Sequence, residues 1–335
     1  MRIALDAMGS DNAPGPEVRG AVEASLRSGV EVILVGDQAV LEPALAAIPK
    51  RGKVSIVHAS EVIRMTDSPV MAVRQKKDSS LLVALRLVKE GKADGVVSAG
   101  NTGAVMVAAR TILGPIQGVA RSAICQTLPT TKDPVLILDL GANVDCSARH
   151  LCEFAEMGVI YSRYALGVQN PRVGLLNIGE EQLKGNELAK TVHRTLSAAK
   201  QINFVGNIEP KALFKGEVDV LVCDGFVGNL VLKTSEAVAG LVTTLVRREL
   251  RSSLLSKIGG LLSLGAYRRL KKTVDPNEYT GAPLLGVNGI VIILHGASNA
   301  RGVANAIRGA CIEVECELNE HIREAVHAMR RTEVV

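Results

Sequence analysis

The sequence contains no tryptophan, and aromatic residues make up only 2% of its 335 residues. Proteins that grip single-stranded nucleic acids usually stack the bases on aromatic side chains. The scarcity of aromatic residues, together with a net charge of only +5, argues against a nucleic-acid-binding platform. We therefore expect no nucleic-acid partner.

Several motifs of familiar sites are also missing. The sequence has no GxxxxGK[ST] phosphate loop, no GxGxxG dinucleotide fingerprint and no GxSxG nucleophile elbow. The six cysteines show no CxxC spacing and are typical of reduced thiols in a cytosolic protein. Cys146, His150 and Cys152 come nearest to a metal motif, but a third ligand on the helix face shared by Cys146 and His150 is missing. We expect neither a metal nor a cofactor.

Signals for export or membrane spanning are weak. The N-terminal stretch MRIALDAMGSD carries Asp6 inside its short apolar run, which is typical of a first strand and not of a signal peptide. The longest uncharged stretch, 279–300, contains Pro283, two asparagines and several glycines, whereas a spanning helix needs about 20 mostly apolar residues.

What the sequence does contain is a regular alternation of short β-branched runs with longer helical patterns. This rhythm predicts a three-layer α/β/α fold, in which a mostly parallel sheet is covered by helices on both faces. We find no linker and no repeat, so we predict a single α/β domain over residues 1–335. The predicted strands are 2–7, 30–36, 53–59, 94–99, 134–140, 172–178, 202–207, 218–224 and 289–295, with helices such as 16–29 and 228–250 among them.

The segment 245–280 breaks this rhythm. The apolar residues of 251–273 share one helical face, and the cations from Arg247 to Lys272 are opposed only by Glu249. We therefore predict that 245–280 is a protruding basic amphipathic helical segment. Such a segment suits an anionic membrane surface or an acidic partner, but it also suits a helix packed on the body or on a second subunit. The apolar residues are Leu254, Leu255, Ile258, Leu261 and Leu262; the cations are Arg247, Arg248, Arg251, Lys257, Arg268, Arg269, Lys271 and Lys272.

Six predicted strands end in small or polar residues before the next helix begins. In an open parallel sheet the carboxyl ends of the strands lie at one edge, where ligands bind, so we expect these six turns to form one crevice. Backbone amides at helix starts favour a small anion, and Lys184 and Lys233 stand where cations can join them. The turns are DAMGSDNAPG (6–15), SAGNTGA (98–104), DLGANVD (139–145), NIGEEQLKG (177–185), CDGFVGN (223–229) and HGASNARG (295–302).

Taken together, these turns and the stretch GAPLLGVNGIVIILHGAS (281–298) resemble the PlsX family, the phosphate acyltransferases of bacterial phospholipid synthesis. The resemblance runs in order and spacing from residue 3 to about residue 300. It implies transfer of a long-chain fatty acyl group from acyl-carrier protein to inorganic phosphate, and a fold related to phosphotransacetylases and isocitrate-type dehydrogenases. It also implies a homodimer in the cytoplasm, attached peripherally to the inner face of the cytoplasmic membrane. The acyl phosphate would pass to a glycerol-3-phosphate acyltransferase that uses it.

Under this resemblance, we assign Lys184, Asn229 and His295 to catalysis. Lys184 or Asn229 would stabilise the developing oxyanion, and His295 would protonate the leaving thiolate. Each assignment competes with a structural role, such as a helix cap for Asn101 or a surface charge for Lys233. The substrate-binding residues are predicted to be Asp6, Gly9, Ser98, Gly100, Asn101, Thr102, Gly103, Asn143, Asn177, Gly179, Gly185, Asp224, Lys233 and Ser298.

Three other functions remain open from the sequence. A phosphate acetyl- or butyryltransferase that uses coenzyme A would share nearly the same chemistry and fold. A decarboxylating dehydrogenase would need a nucleotide signature and a cluster of aspartates for Mg²⁺, neither of which is evident. A non-catalytic membrane scaffold for lipid-synthesis acyltransferases would not need six polar turns.

Overall fold

The computed structural model describes residues 1–275 and 278–333; positions 276 and 277 of the segment 245–280, and the side chain of Lys271, lie outside the described part. The strands are β1 (Arg2–Asp6), β2 (Glu31–Gly36), β3 (Val54–His58), β4 (Gly95–Ser98), β5 (Ala123–Leu128), β6 (Val135–Leu138), β7 (Arg172–Leu176), β8 (Asn203–Ile208), β9 (Val220–Val222), β10 (Ala282–Leu285) and β11 (Ile290–Ile293). The helices are α1 (Gly15–Ser28), α2 (Gln38–Ala46), α3 (Pro69–Gln75), α4 (Ser80–Lys89), α5 (Thr102–Ile112), α6 (Ala148–Tyr164), α7 (Glu187–Ala198), α8 (Gly225–Glu249), α9 (Leu254–Leu262), α10 (Leu264–Val274), α11 (Ala300–Glu315) and α12 (Leu318–Glu333), with a 3₁₀ helix at Pro210–Lys215.

All eleven strands form one sheet in the order β3-β2-β1-β4-β11-β10-β5-β6-β9-β7-β8. Most neighbouring pairs are parallel, as the rhythm of the sequence predicts. The exceptions are at the centre, where β10 pairs antiparallel with both β11 and β5, and β5 pairs antiparallel with β6. These reversals divide the sheet into a first half (β3, β2, β1, β4, β11) and a second half (β6, β9, β7, β8) whose strands run in opposite directions.

The expectation that all six polar turns share one edge is therefore wrong. The turns after β1, β4 and β11 lie at the carboxyl edge of the first half, and those after β6, β7 and β9 lie at the opposite edge. The strands β5 and β10, which cause the reversal, are not among the strands predicted from the sequence. The β10 run, APLL, contains a proline, and the β5 run, AICQTL, contains two polar residues, so neither gives a strong strand pattern.

Helices cover both faces of the sheet, which confirms the three-layer architecture. Alternate residues of a strand point to opposite faces, so Ile3 and Leu5 of β1 enter one core cluster and Ala4 enters the other. One face packs against α1, α6, α11 and α12, and the other against α4, α5 and the first half of α8. The site described below lies on this second face.

The segment 245–280, which interrupts the alternation of strands and helices, contains two helices, α9 and α10, which meet at Ser263. No residue of α9 is buried, and its five predicted membrane residues are 56–83% exposed. The C-terminal half of α8, which precedes α9, also carries exposed apolar residues, namely Val238, Leu241, Val242, Leu245 and Val246. Among the residues that the structure describes, no helix is long and apolar enough to cross a bilayer.

Candidate functional site

A cavity of about 910 Å³ opens between α5 and α8, over the strands at the centre of the sheet. Its polar rim comes from turns of both halves of the sheet. Seven of the predicted site residues line it: Gly100, Thr102, Gly103, Asn229, Lys233, His295 and Ser298. The reversal of strand direction places the turns at two edges of the sheet, yet five of the six contribute residues to the lining of this one cavity.

The start of α5 forms one wall of the cavity. The side chain of Asn101 caps this helix, since its Oδ1 accepts a hydrogen bond of 3.0 Å from the amide of Ala104. Its Nδ2 donates to the carbonyls of Met65 and Asp67, at 3.0 and 3.1 Å. Both hydrogens of the Asn101 amide are therefore used within the protein, so the geometry supports the capping role.

The first two amides of α5 are available to a ligand. Within the described residues, no acceptor is bonded to the amide N–H of Thr102 or Gly103. Unpaired amides at a helix start, together with the helix dipole, form a site for an anion. The wall of the cavity therefore contains a ready anion site that requires no lysine.

Asp6 and Ser98 lie beneath this wall and support it. Ser98 Oγ donates to Asp6 Oδ2 at 2.7 Å and accepts from the amide of Gly100 at 3.1 Å. A Cβ atom on Gly9 would lie 2.6 Å from Asp6 Oδ2 and 3.0 Å from Gly100 Cα, so only glycine fits there. Burial raises the pKa of Asp6. Asp6, Gly9 and Ser98 thus hold the 98–104 turn in place and do not themselves line the cavity.

His295 and Ser298 stand at the carboxyl end of β11. The ring Nδ1 of His295 accepts a hydrogen bond of 3.1 Å from the amide of Ala297. A neutral imidazole that accepts through Nδ1 carries its proton on Nε2, so His295 presents an N–H donor. Ser298 is buried, and its amide donates to the carbonyl of His295 at 2.9 Å, which closes the turn.

The opposite wall is the first part of α8. Asp224 caps this helix by accepting from the amide of Val227, and Asn229 packs against Gly141 of the turn after β6. Lys233 lines the cavity, but its Nζ forms an ion pair of 2.9 Å with Glu236 one turn along the helix. Both groups are about half exposed, so this pair is weak enough to be exchanged for a ligand anion.

Asp139 organises the turn after β6. Its carboxylate accepts from the amides of Ile124, Ala142 and Asn143, and Asn143 Nδ2 also donates to it at 2.9 Å. The same Nδ2 donates to the carbonyl of Ser122 at 2.7 Å. Asn143 is therefore engaged with the protein and shapes the turn that holds Gly141 against Asn229.

The turn that carries Lys184 lies elsewhere. It follows β7, which is five strand positions from β11, or about 24 Å along the sheet at about 4.8 Å per position. Asn177 Nδ2 donates to the carbonyl of Lys184, and Gly179 packs against the Lys184 side chain. Gly185 has a φ of +89°, which other residues rarely adopt. The structure does not bring Asn177, Gly179, Lys184 or Gly185 to the cavity of the same chain.

The floor and several rim residues of the cavity were not predicted from the sequence. The floor is apolar and comes from segments far apart in the chain, which no local motif could connect. Asp11 is a missed rim residue, although it belongs to a turn that the sequence singled out. The missed lining residues include Asp11, Met65, Met106, Ile124, Gln126, Leu140, Leu232, Glu236, Gly281, Ala282 and Ile293.

The fold of the chain is similar to that of solved phosphotransacetylases. The structure is similar to a phosphotransacetylase from Streptococcus pyogenes, with a TM-score of 0.64, 17% identity and 94% of each chain covered. It is also similar to the EutD phosphotransacetylase from Staphylococcus aureus, with a TM-score of 0.63, 16% identity and 94% of each chain covered. At such low identity these likenesses define the fold alone.

The chain belongs to the family described as fatty acid synthesis protein, whose model matches residues 1–320. It is 52% identical over 310 residues to a phosphate acyltransferase from Moorella thermoacetica, with 92% of this chain and 91% of the relative covered. It is 50% identical over 311 residues to a phosphate acyltransferase from Trichlorobacter lovleyi, with 92% and 90% covered.

Proposed function

We propose that the protein transfers a long-chain fatty acyl group from acyl-carrier protein to inorganic phosphate, giving acyl phosphate for phospholipid synthesis. The observation that carries this proposal is the extended identity to relatives named phosphate acyltransferase. The cavity supports it, because it combines an anion site at the start of α5 with an apolar floor. A downstream glycerol-3-phosphate acyltransferase would consume the acyl phosphate.

The proposed reaction depends on the positioning of the phosphate and the thioester more than on a strong base. Phosphate bound at the amides of Thr102 and Gly103 is already largely ionised near neutral pH. One of its oxygens attacks the thioester carbon, and the carbonyl oxygen becomes an oxyanion that donors on α8, such as Asn229, would stabilise. When the carbon–sulfur bond breaks, the Nε2–H of His295 donates a hydrogen bond to the leaving thiolate, and the phosphate hydroxyl of the new acyl phosphate supplies the proton that makes the free thiol.

The acyl chain would lie on the floor of the cavity. Met106 of α5 and Leu232 of α8 line the cavity together with Ile124 and Leu140. Burying apolar surface is favourable by about 25 cal/mol per Å², so a long chain gains most from filling this space. The polar rim would then hold the thioester next to the bound phosphate.

The direct test is phosphate-dependent release of free thiol from long-chain acyl-carrier protein, with long-chain and acetyl-coenzyme A in parallel. Release from the carrier substrate that depends on phosphate is the expected result. Preference for acetyl-coenzyme A would instead indicate a phosphate acetyltransferase, and no phosphate-dependent release from any thioester would favour a scaffold. In the variant His295→Ala we expect a fall in kcat with little change in the KM for phosphate, since only the leaving thiolate loses its hydrogen-bond donor.

We further propose that the working form is a homodimer and that Lys184 acts in the cavity of the second copy. Lys184 lies too far along the sheet from His295 to serve the same cavity. The turn around it exposes Ile178 and Leu183, and Phe226 is exposed at the start of α8, which follows the neighbouring strand β9. These three side chains are 62–82% exposed and suited to contact with another chain.

Complementation tests this arrangement. Lys184→Ala and His295→Ala should each be nearly inactive alone, but a mixture refolded together should recover activity, because some mixed dimers contain one complete site. If the mixture stays inactive while differently tagged copies of the two variants co-purify as mixed dimers, Lys184 does not act across the dimer. Near-normal activity of Lys184→Ala alone would remove it from the site altogether.

We also propose that α9 attaches the protein to the inner face of the cytoplasmic membrane. Its apolar face is fully available to a bilayer, and Arg247, Arg248, Arg251 and Lys257 are exposed nearby. Cations near an anionic surface add about 1 kcal/mol apiece at low salt. Binding would be weak for one copy and stronger for a dimer that presents two.

The test is flotation with anionic vesicles. Replacing Leu254, Ile258 and Leu261 with Ser should abolish flotation and leave turnover of soluble acyl-carrier protein unchanged. A matched control replaces three exposed apolar residues of the body, Leu26, Val40 and Val205, with Ser and should float like the unaltered protein. If the α9 variant still floats, or loses flotation only together with its dimer, α9 is a packing element.

A further inference from the structure

A second concave surface lies on the opposite face of the sheet from the cavity, between α1, α10 and α11. We call it the basic concavity; its volume is about 560 Å³. Five cationic side chains line it, against one carboxylate, Glu278. The cations are Arg27, Arg269, Lys272, Arg301 and Arg308.

Most of this positive charge is not neutralised within the chain. Arg301 pairs with Glu278, and Arg27 pairs with Glu23 at 2.8 Å. In residues 1–275 and 278–333, Arg269, Lys272 and Arg308 form no ion pair, and all three are exposed. Holding several like charges together has an electrostatic cost, which an anionic partner would relieve.

The basic concavity and the cavity lie on opposite faces of the sheet but are joined by short stretches of chain. Glu278 of the concavity precedes Gly281 of the cavity by three residues, and Arg301 follows Ser298 of the cavity by three residues. A partner seated in the concavity would therefore sit beside the mouth of the cavity.

We propose that the basic concavity docks the acidic surface of the protein that carries the acyl thioester; this inference rests on the proposed function. A concave surface fits a protruding element, such as a helix of a small acidic protein, better than it fits a flat bilayer. Charges of this kind chiefly steer association and fix orientation, and their effect falls with salt. The docked carrier would reach the cavity along the 278–282 and 295–301 stretches.

The key variant is Arg308→Glu, because Arg308 belongs to α11 in the folded body and is not part of the proposed catalytic or membrane residues. The control is Arg194→Glu, which makes the same charge change at an exposed arginine of α7, near the far edge of the sheet, and also lacks an ion pair in the described chain. Arg308→Lys keeps the charge and should behave nearly as the unaltered protein.

Three measurements are made on the full-length protein: the Kd for acidic apo-carrier protein, kcat and KM with acyl-carrier protein, and kcat and KM with a neutral small thioester, S-acyl-N-acetylcysteamine. For Arg308→Glu we expect the Kd and the KM for the carrier to rise about tenfold at low salt and less at high salt. Its kinetics with the neutral thioester and its phosphate KM should be unchanged. Arg194→Glu should change none of these values.

Equal behaviour of Arg308→Glu and Arg194→Glu would overturn the proposal. So would an Arg308→Glu variant that loses flotation with anionic vesicles but binds the carrier normally, because the concavity would then face lipid headgroups. If the unaltered protein neither binds the carrier nor turns over its thioester, the proposed function fails first. If the unaltered protein does both and Arg308→Glu binds and turns over the carrier equally well, only the proposed docking surface is wrong.

Discussion

Asn101→Ala separates a structural role of this residue from direct contact with phosphate. The substitution removes the cap on the amide of Ala104, which contributes about 1 kcal/mol, and two hydrogen bonds to the carbonyls of Met65 and Asp67, which contribute about 0.5–1.5 kcal/mol each. We expect a total loss of about 2–4 kcal/mol in the free energy of unfolding. Asn186→Ala is the matched control, because Asn186 caps α7 through one hydrogen bond of 2.9 Å to Ala189 and should cost only about 1 kcal/mol.

Denaturant titrations of the two variants give the stability difference, and initial rates over a range of phosphate give the KM. Since neither hydrogen of the Asn101 amide is free to donate to phosphate, the phosphate KM of Asn101→Ala should rise no more than its KM for the acyl donor. The reasoning would be refuted if the two variants lost equal stability while Asn101→Ala alone showed a large, selective rise in phosphate KM. Asn101 would then bind the anion, as the sequence first suggested.

Three further predictions follow from buried or crowded positions. Glu313 is fully buried with one oxygen unpaired, and burial raises its pKa well above the usual value. The unfolded chain therefore releases this proton first, so the native protein loses up to about 1.4 kcal/mol per pH unit as pH rises from about 4.5 towards the raised pKa. Glu313→Gln should remove this loss, and parallel pH–stability curves for both proteins would contradict it. Gly228→Ala would place a Cβ atom 1.9 Å from the carbonyl oxygen of Asp139 and should cost about 3 kcal/mol or more, whereas Gly240→Ala, on the same helix with open space around it, should be neutral or stabilising in denaturant titrations. Met106→Trp should fill part of the cavity floor and lower kcat/KM for a sixteen-carbon acyl donor far more than for an eight-carbon one. An equal fall for both donors would mean that the acyl chain binds elsewhere.

The strands on either side of the central pair β10 and β5 were predictable because their own residues favour strands and also suit a buried sheet. In β1 and β11, runs of β-branched and aliphatic residues are buried on both faces, as expected for interior strands of a parallel sheet. The central strands β5 and β10 do not follow this rule. Pro283 has no amide hydrogen and Gln126 is polar, so their strand character comes from their neighbours and not from their own sequence.

The failure to predict β5 and β10 had a large effect on the predicted site. The glycine and asparagine turns were correctly recognised as strand ends, but which turns meet depends on strand direction, and β5 and β10 reverse it. Lys184 and His295 therefore seemed to be neighbours and are not. The ion pair of Lys233 with Glu236, by contrast, was readable in principle from their three-residue spacing on a helix.

The same central strands join the two halves of the sheet through short ladders. β10 pairs with β5 at only two positions and with β11 at only two, whereas β1 pairs with β2 at five. A sheet bends most easily where its ladder is shortest, and the cavity lies across this junction, with α5 on one side and α8 on the other. We therefore expect the two halves to rock about β10, so that the cavity opens to admit an acyl chain and closes to shield a hydrolysable acyl phosphate from water. In hydrogen exchange, the amides of Leu284 and Leu285 should exchange faster than those of Ala4 and Leu5, and a bound product should slow them.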